Sequence, residues 1–282
     1  MTRKFLDKTV NGLSIRIREG SSEQSLIMLH GIGSNKSAFD TLADALPESW
    51  NLIAWDAPGY GSSDNLLEPT PDAGDYAKKL HALLDTLNLT QTIVLGHSLG
   101  TLIAARFARH YPQSVNGLIL LACAQGYGQP KGHLSDAAQT RLDDLDRLGS
   151  SQFARTRAER LMYYAEKQPI VRQAIIDAMA KIKRQGYGQA VHMLAQGDLK
   201  TDAGKLQVPS LVIVGDKDNI TPPVQSQNVH QALSASSNSL PHIFHQMSDT
   251  GHAVHQQNPA AVAARIIEFE KQRNACLAEV RP

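Results

Sequence analysis

The chain predicts an α/β fold: a mostly parallel central sheet covered by helices on both faces, with a helical subdomain inserted in the middle of the chain. Three observations carry this. Short, almost continuously apolar runs ("SLIML", "WNLIAW", "TIVLG", "GLILLAC", "PSLVIVG") are each stopped by a turn rich in Gly, Pro or Asp. Between them lie amphipathic stretches with apolar residues at helical spacing, and strands buried on both faces in such alternation belong to parallel sheets. From about Gly126 to Val208 the alternation stops and only helical periodicity remains.

Each element follows in order. "VNGLSIRIREG" predicts a strand beginning beside an Asn-Gly turn, and "QSLIMLHG" a second strand stopped by glycine. Phe39, Leu42, Ala43 and Leu46 recur at helical spacing until Pro47, and "WNLIAWDAPGYG" returns to a strand ending in a Pro- and Gly-rich loop. Tyr76, Leu80, Leu83, Leu84 and Leu87 make one helical stripe, followed by the strand "TIVLG", a helix from about Ser98, and the strand "VNGLILLAC". Within 126–207, Ala138, Leu142, Leu145 and Leu148 fit one helix, and Ile170, Val171, Ala174, Ile175, Ala178, Met179 and Ile182 fit another. Arginines crowd the intervening "FARTRAERLMYY", where interspersed acids favour a solvated face over a clamp for acidic substrates. "VPSLVIVGDKDNITPP" restores the sheet pattern, "LPHIFHQM" supplies one more strand, and "PAAVAARIIEFEKQ" reads as a closing helix with Pro259 near its start. "ALSASSNSLP" reads as a local loop and "RNACLAEVRP" as a fraying end.

Composition narrows the function classes. With 282 residues, 42% of them hydrophobic, the chain can bury one large core plus a subdomain. A net charge of +1, from 28 basic against 27 acidic residues, gives no electrostatic reason for nucleic acid or an anionic membrane as the main partner. The N-terminal stretch lacks a signal-like apolar segment and no run approaches about 18 apolar residues, so a soluble cytoplasmic protein is expected. Cys123 and Cys276 lack partners at metal-ligand spacing, and Cys123 is most simply a small buried apolar residue.

The chemistry concentrates at "GHSLG", Gly96 to Gly100, with a strand before it and a helix after. Small residues at its ends allow strand and helix to approach around a strained turn that lifts the Ser98 hydroxyl above the strand ends. Serine is a poor nucleophile at neutral pH and needs a base and an orienting acid. Asp218, just past the strand "VIVG", is the best acid, with Asp216 its nearer rival; His252 in "SDTGHAVHQQ" is the best base, with His255 competing. The order Ser98, Asp218, His252 suits three loops converging on a doubly wound sheet. In "HGIGS", Gly31 and Gly33 let backbone approach a substrate oxygen, so the amides of Ile32 and Leu99 are the candidate oxyanion donors. His30 is expected to tie this loop rather than take a proton, and His97 to point away from the attacking face. "DAPGYGSSD", with Asp56, reads as a structural loop at the rim, where Ser62 or Ser63 could touch ligand.

Taken together, "HGIGS", "DAPGYGSS", "GHSLG", "GDKDNITP" and the Gly251-His252 pair span nearly the whole chain, and it resembles the α/β-hydrolase superfamily. The resemblance implies a hydrolase core over 1–125 and 208–282, a helical cap over 126–207 that roofs the pocket, and a nucleophile, acid and base at Ser98, Asp218 and His252. Ser98 argues against the branches that use an aspartate nucleophile. "AWDAPGYG" and "HYPQSVNGLILL" are similar to bacterial enol-lactonases and to carbon-carbon bond hydrolases of aromatic catabolism, although Thr101 stands where the latter commonly carry a second Gly. The leading expectation is therefore a serine hydrolase for a small carboxylic ester or lactone that requires no metal or organic cofactor. The alternatives are hydrolysis of diketone-like acids and, in another class, a ligand-binding protein without turnover. Arg155, Arg157 and Arg160 are candidates to hold a substrate carboxylate, and apolar residues of the cap could line either a pocket or an interface between copies in a homo-oligomer.

Overall fold

Asn11 and Gly12, with φ of 50° and 74°, turn the first two strands into a hairpin, the backbone sign that a two-residue type I′ connection requires. They join β1 (Leu6–Val10) to β2 (Leu13–Arg18), pairing Val10 with Leu13. Only β2 was expected from the sequence; β1 is exposed along most of its length and has no apolar run to reveal it. The computed structural model describes residues 5–236 and 239–280, with side chains described through residue 276.

The chain continues through β3 (Ser25–Leu29), α1 (Asp40–Ala45), β4 (Asn51–Trp55), α2 (Ala73–Thr86), β5 (Thr92–His97), α3 (Leu99–His110) and β6 (Val115–Leu121). After β6 come α4 (Asp136–Ala158), α5 (Pro169–Met179), α6 (Arg184–Gln196) and α7 (Leu199–Ala203). The remainder is β7 (Ser210–Gly215), α8 (Pro223–Ser236), β8 (His242–Met247), α9 (Val254–Gln257) and α10 (Pro259–Val280). The strands form an eight-stranded sheet in the order β1-β2-β4-β3-β5-β6-β7-β8. β2 runs antiparallel to both its neighbours, and every other pairing is parallel.

Alternation along the strands divides the core. Ile27, Leu29, Val94, Leu118 and Leu120 face α2, α3 and α8, while Leu26, Met28, Ile93, Leu95 and Ile119 face α1 and α10. Because all ten are fully buried, the central strands carry no polar face. β4 lies on one side of β3 and β5 on the other, so the chain order reverses at β3. The loop leaving β3 runs to α1 on one face and the loop leaving β5 to α3 on the other, and this reversal opens a crevice at the carboxyl ends of the strands.

Among the described residues, the segment between β6 and β7 holds helices and no strand. α4 is bent at Gly149, whose φ of 70° and ψ of 160° are not helical. α6 was not foreseen, because Gly186, Gly188 and Gln189 dilute the apolar face with which it packs on α3 and α4, and it also meets the loop after β4. Gly186 and Gly59 touch backbone to backbone: a Cβ on Gly186 would lie 2.1 Å from the Gly59 carbonyl oxygen. Gln189 Nε2 donates to the carbonyls of Leu66 and Glu68, both at 2.8 Å, extending the seam. α7 packs instead on α3 and α8, with Asp202 2.8 Å from both Arg106 and Arg109. The stretch 232–241, expected as a loop, is helical through Ser236; α8 escapes notice because Val229 and Leu233 stand among polar residues. The fraying expected over 273–282 falls partly outside the described residues, and the helix runs on through 280.

The glycine contact yields a stability expectation. Gly186→Ala forces the α6 backbone away from Gly59, and thermal unfolding should show a loss of about 1–3 kcal/mol, the usual range for overpacking. Gly149→Ala offers a contrast, since a Cβ there meets nothing within 4 Å and the cost is the positive φ alone.

Candidate active site

Ser98 occupies the turn between β5 and α3 with φ 51° and ψ −116°, a conformation that an L-residue adopts only under constraint. The constraint comes from both sides of the turn. The Ser98 amide donates to the Leu121 carbonyl at 2.9 Å, and the Ser98 carbonyl accepts from the Thr101 amide at 3.0 Å and from the Thr101 hydroxyl at 2.6 Å. A Cβ on Gly100 would lie 2.2 Å from the Leu29 carbonyl oxygen, and one on Gly96 would lie 2.4 Å from the Gly100 carbonyl oxygen. Glycine at these two positions is what permits the helix to start directly on the sheet.

His252 and Asp218 meet beside this turn. Asp218 follows β7 and His252 follows β8, neighbouring parallel strands whose carboxyl ends share one edge. Asp218 and His252 are 2% and 3% exposed. His252 Nδ1 donates to Asp218 Oδ2 at 2.9 Å and lies 3.1 Å from the Thr221 hydroxyl, which itself donates to Oδ2 at 2.8 Å. With its proton on Nδ1, the ring keeps a lone pair on Nε2. The other carboxylate oxygen, Oδ1, accepts from the amides of Ile220 and Thr221 at 2.8 and 2.9 Å. Burial alone would raise the Asp218 carboxyl, but the His252 ring and the Thr221 donors together hold it below the usual carboxylate range. Asp216, its rival, instead accepts from the Thr250 amide at 3.3 Å and pairs with Lys217 at 2.9 Å.

The loop after β3 closes the opposite side. Gly31 lies so near the elbow that a Cβ on it would be 2.9 Å from Ser98 Cβ. Gly33 has φ of 77°, and its amide donates to the Tyr60 hydroxyl at 3.3 Å. His30 ties the loop: Nδ1 donates to the Gly31 carbonyl at 2.8 Å and Nε2 accepts from the Ala57 amide at 3.0 Å. Leu99 is the first residue of α3, so its amide has no intrahelical acceptor.

Ser98, His252 and residues 31–34 line one cavity, open in part to solvent. The segment between β6 and β7 supplies much of the opposite wall, including Ile175, Met179 and Tyr187. Arg157 and Arg160 reach this wall, whereas Arg155 is exposed and lies outside it. Ser62 and Ser63 do not line it; Ser63 is buried and donates to the Asp56 carbonyl at 2.7 Å. Asp56 itself accepts from the Lys36 amide at 2.9 Å.

Several neighbours lay beyond sequence reasoning. Neither Thr221 nor Arg141 stands out in the sequence, yet Thr221 donates to Asp218 and Arg141 lines the cavity. Gln257 Oε1 accepts from the amides of Gly251 and Tyr163 at 2.8 and 3.2 Å, clamping the His252 loop to the segment after α4. The ring of His97 packs on the buried His255, and its Nε2 donates to the His252 carbonyl at 3.0 Å, which steadies the His252 loop. A lone glutamine or histidine in sequence carries no signal for such a role.

His255 lies beneath, fully buried between the rings of His97 and Phe39 at centroid separations of 4.4 and 4.9 Å. Neither of its ring nitrogens has a hydrogen-bond partner. Burial, with the nearby His252 ring, pushes its pKa down to about 3, so it stays neutral. An unfolded chain near the usual histidine pKa of about 6.5 binds that proton while the folded one does not, so stability falls as pH drops below 6.5. His255→Phe should remove on the order of 2 kcal/mol of the loss between about pH 8 and pH 5, measured by chemical denaturation at each pH. An unchanged pH slope would contradict this.

Comparison with known proteins follows the same outline. Residues 24–259 match the family described as alpha/beta hydrolase fold. The AB hydrolase superfamily protein YisY of Bacillus subtilis is 30% identical over 220 residues, covering 76% of this chain and 82% of its own. A pimeloyl-[acyl-carrier protein] methyl ester esterase of Neisseria meningitidis is 26% identical over 217 residues, covering 76% and 82%. Among solved structures, the enol-lactonase of Burkholderia xenovorans LB400 superposes with a TM-score of 0.81 at 20% identity, over 94% of this chain and 100% of that one. A thermophilic esterase of Thermogutta terrifontis gives 0.80 at 22%, over 96% and 99%. No helix of the described residues is long and apolar enough to cross a membrane. With the mostly parallel sheet, the serine turn after β5 and a family match over most of its length, the chain belongs to the α/β-hydrolase family.

Proposed function

We propose that the protein is a serine hydrolase that cleaves a small carboxylic ester or lactone. The supporting observation is the His252 to Asp218 hydrogen bond of 2.9 Å beside a serine held at positive φ in the same cavity. In this reading Ser98 Oγ attacks the carbonyl carbon as His252 Nε2 takes its proton, and Asp218 stabilises the resulting imidazolium. The amides of Ile32 and Leu99 receive the oxyanion, each worth roughly 3 kcal/mol in comparable sites. His252 then protonates the leaving oxygen, and water activated by the same ring releases the acid and restores the serine. The helices between β6 and β7 act as the roof that selects the substrate, a small molecule.

Turnover of short p-nitrophenyl esters and covalent labelling by a fluorophosphonate, each in the wild type and Ser98→Ala, test the reading. Wild-type turnover with labelling confined to Ser98 is the expected result. Labelling that survives in Ser98→Ala overturns the assignment of the nucleophile.

A further inference from the structure

Three arginines reach the cavity over Ser98, and no carboxylate among the described residues lines it. Arg141 comes from the first arm of α4, Arg157 from the second arm beyond the bend at Gly149, and Arg160 from the short turn that follows. A solvated helix face accounts for Arg155, which is exposed, and for Arg172 and Arg184, which pair with Glu159 and Asp146. It does not account for Arg157. That side chain is 23% exposed, its guanidinium carbon lies 4.6 Å from the Phe153 ring centroid, and its carboxylate partner Asp144 is 4.0 Å away. Asp144 lies closer to Arg147, at 2.7 Å, so its charge is shared. Burial lowers the pKa of Arg157, and the charges of Arg141 and Arg160 act in the same direction. Arg141 shares this wall with the buried Tyr187 and also borders a smaller pocket between α4 and α6.

Like charges gathered on a partly desolvated wall repel one another unless an anion joins them. A planar carboxylate suits a stacked guanidinium, which can hold both its oxygens. We propose that the substrate is an ester or lactone of an acid bearing a second carboxylate, which Arg157, flanked by Arg141 and Arg160, holds while Ser98 attacks the carbonyl at the other end. Ile175 and Met179 supply apolar surface for the short carbon chain between the two groups. The proposal rests on the hydrolytic reading above and adds the class of substrate.

The test compares kcat/KM for mono-p-nitrophenyl glutarate, an anionic half-ester, with that for p-nitrophenyl butyrate. The wild type should favour the half-ester by about tenfold or more, and the preference should shrink with added salt. The ratio should fall at least about tenfold in Arg157→Gln and by a smaller factor in Arg160→Gln, whose side chain is exposed, so that its loss leaves the packing of the fold in place. Arg157→Lys should restore part of the ratio, because charge returns without the two-pronged geometry. A wild-type preference for butyrate, or a ratio unchanged in both glutamine variants, overturns the proposal. Calorimetric titration of glutarate into Ser98→Ala separates the two readings. If neither ester is turned over, the hydrolytic reading fails; saturable glutarate binding that disappears on adding Arg157→Gln then supports the anion wall, and no binding overturns it.

Discussion

Ser98→Ala is expected to lower kcat for a short p-nitrophenyl ester by about 10⁴-fold or more, because the base and acid then have no hydroxyl to activate. The remaining rate should come from binding and the oxyanion amides, and fluorophosphonate labelling should vanish. The same position makes a second, independent statement about stability. Alanine inherits φ of 51° and ψ of −116° with a Cβ still in place, whereas glycine adopts that backbone without steric cost. Ser98→Gly should therefore be more stable than Ser98→Ala by about 1–2 kcal/mol, although both are inactive. Thermal unfolding of the two variants reads the difference. Equal stabilities would mean that the turn relaxes on losing the hydroxyl, and that the elbow is not held by its surroundings.

The elbow was legible because its requirements are local. Gly96 and Gly100 have to be small where α3 starts against the Leu29 carbonyl, and an apolar strand followed by a helix marks the place. The parallel sheet was legible for a similar reason: strands buried on both faces leave unbroken apolar runs. β1 and α6 left no such trace. β1 is exposed and held by pairing with β2, and the apolar side of α6 is interrupted by Gly186 and by Gln189, which dock it on the loop that follows β4. Contacts made by backbone and by single polar side chains have no periodicity. At the site, Asp218 and His252 could be ranked by strand order, but Thr221, Gln257 and Arg141 act through distances that only folding creates. The arginine-rich stretch shows the limit most plainly: three adjacent candidates were indistinguishable in sequence, and the turn of the chain puts Arg157 and Arg160 on the wall and Arg155 in solvent.

Asp218→Asn should be nearly as damaging as loss of the serine, with kcat falling roughly 10³- to 10⁴-fold. The reason lies in how the carboxylate is held. Oδ1 accepts from two backbone amides, Ile220 and Thr221, so an asparagine must keep its oxygen there and turn its NH₂ toward His252. A donor facing Nδ1 obliges that nitrogen to accept, which moves the ring proton to Nε2 and removes the lone pair that would take the serine proton. Thr221→Val leaves the carboxylate in place and removes one donor to Oδ2, so its loss should be closer to tenfold. Acid stability separates the two variants again. The folded Asp218 carboxyl lies below its unfolded value of about 3.9, so it contributes stability that is present above that pH and lost as pH falls through the folded value. Asparagine has no such proton to bind, and Asp218→Asn should lose less stability than the wild type on acidification below about pH 4, read as thermal midpoint against pH. If activity survives in Asp218→Asn while Asp216→Asn is inactive, the acid has been misassigned and the 2.9 Å bond to His252 is structural.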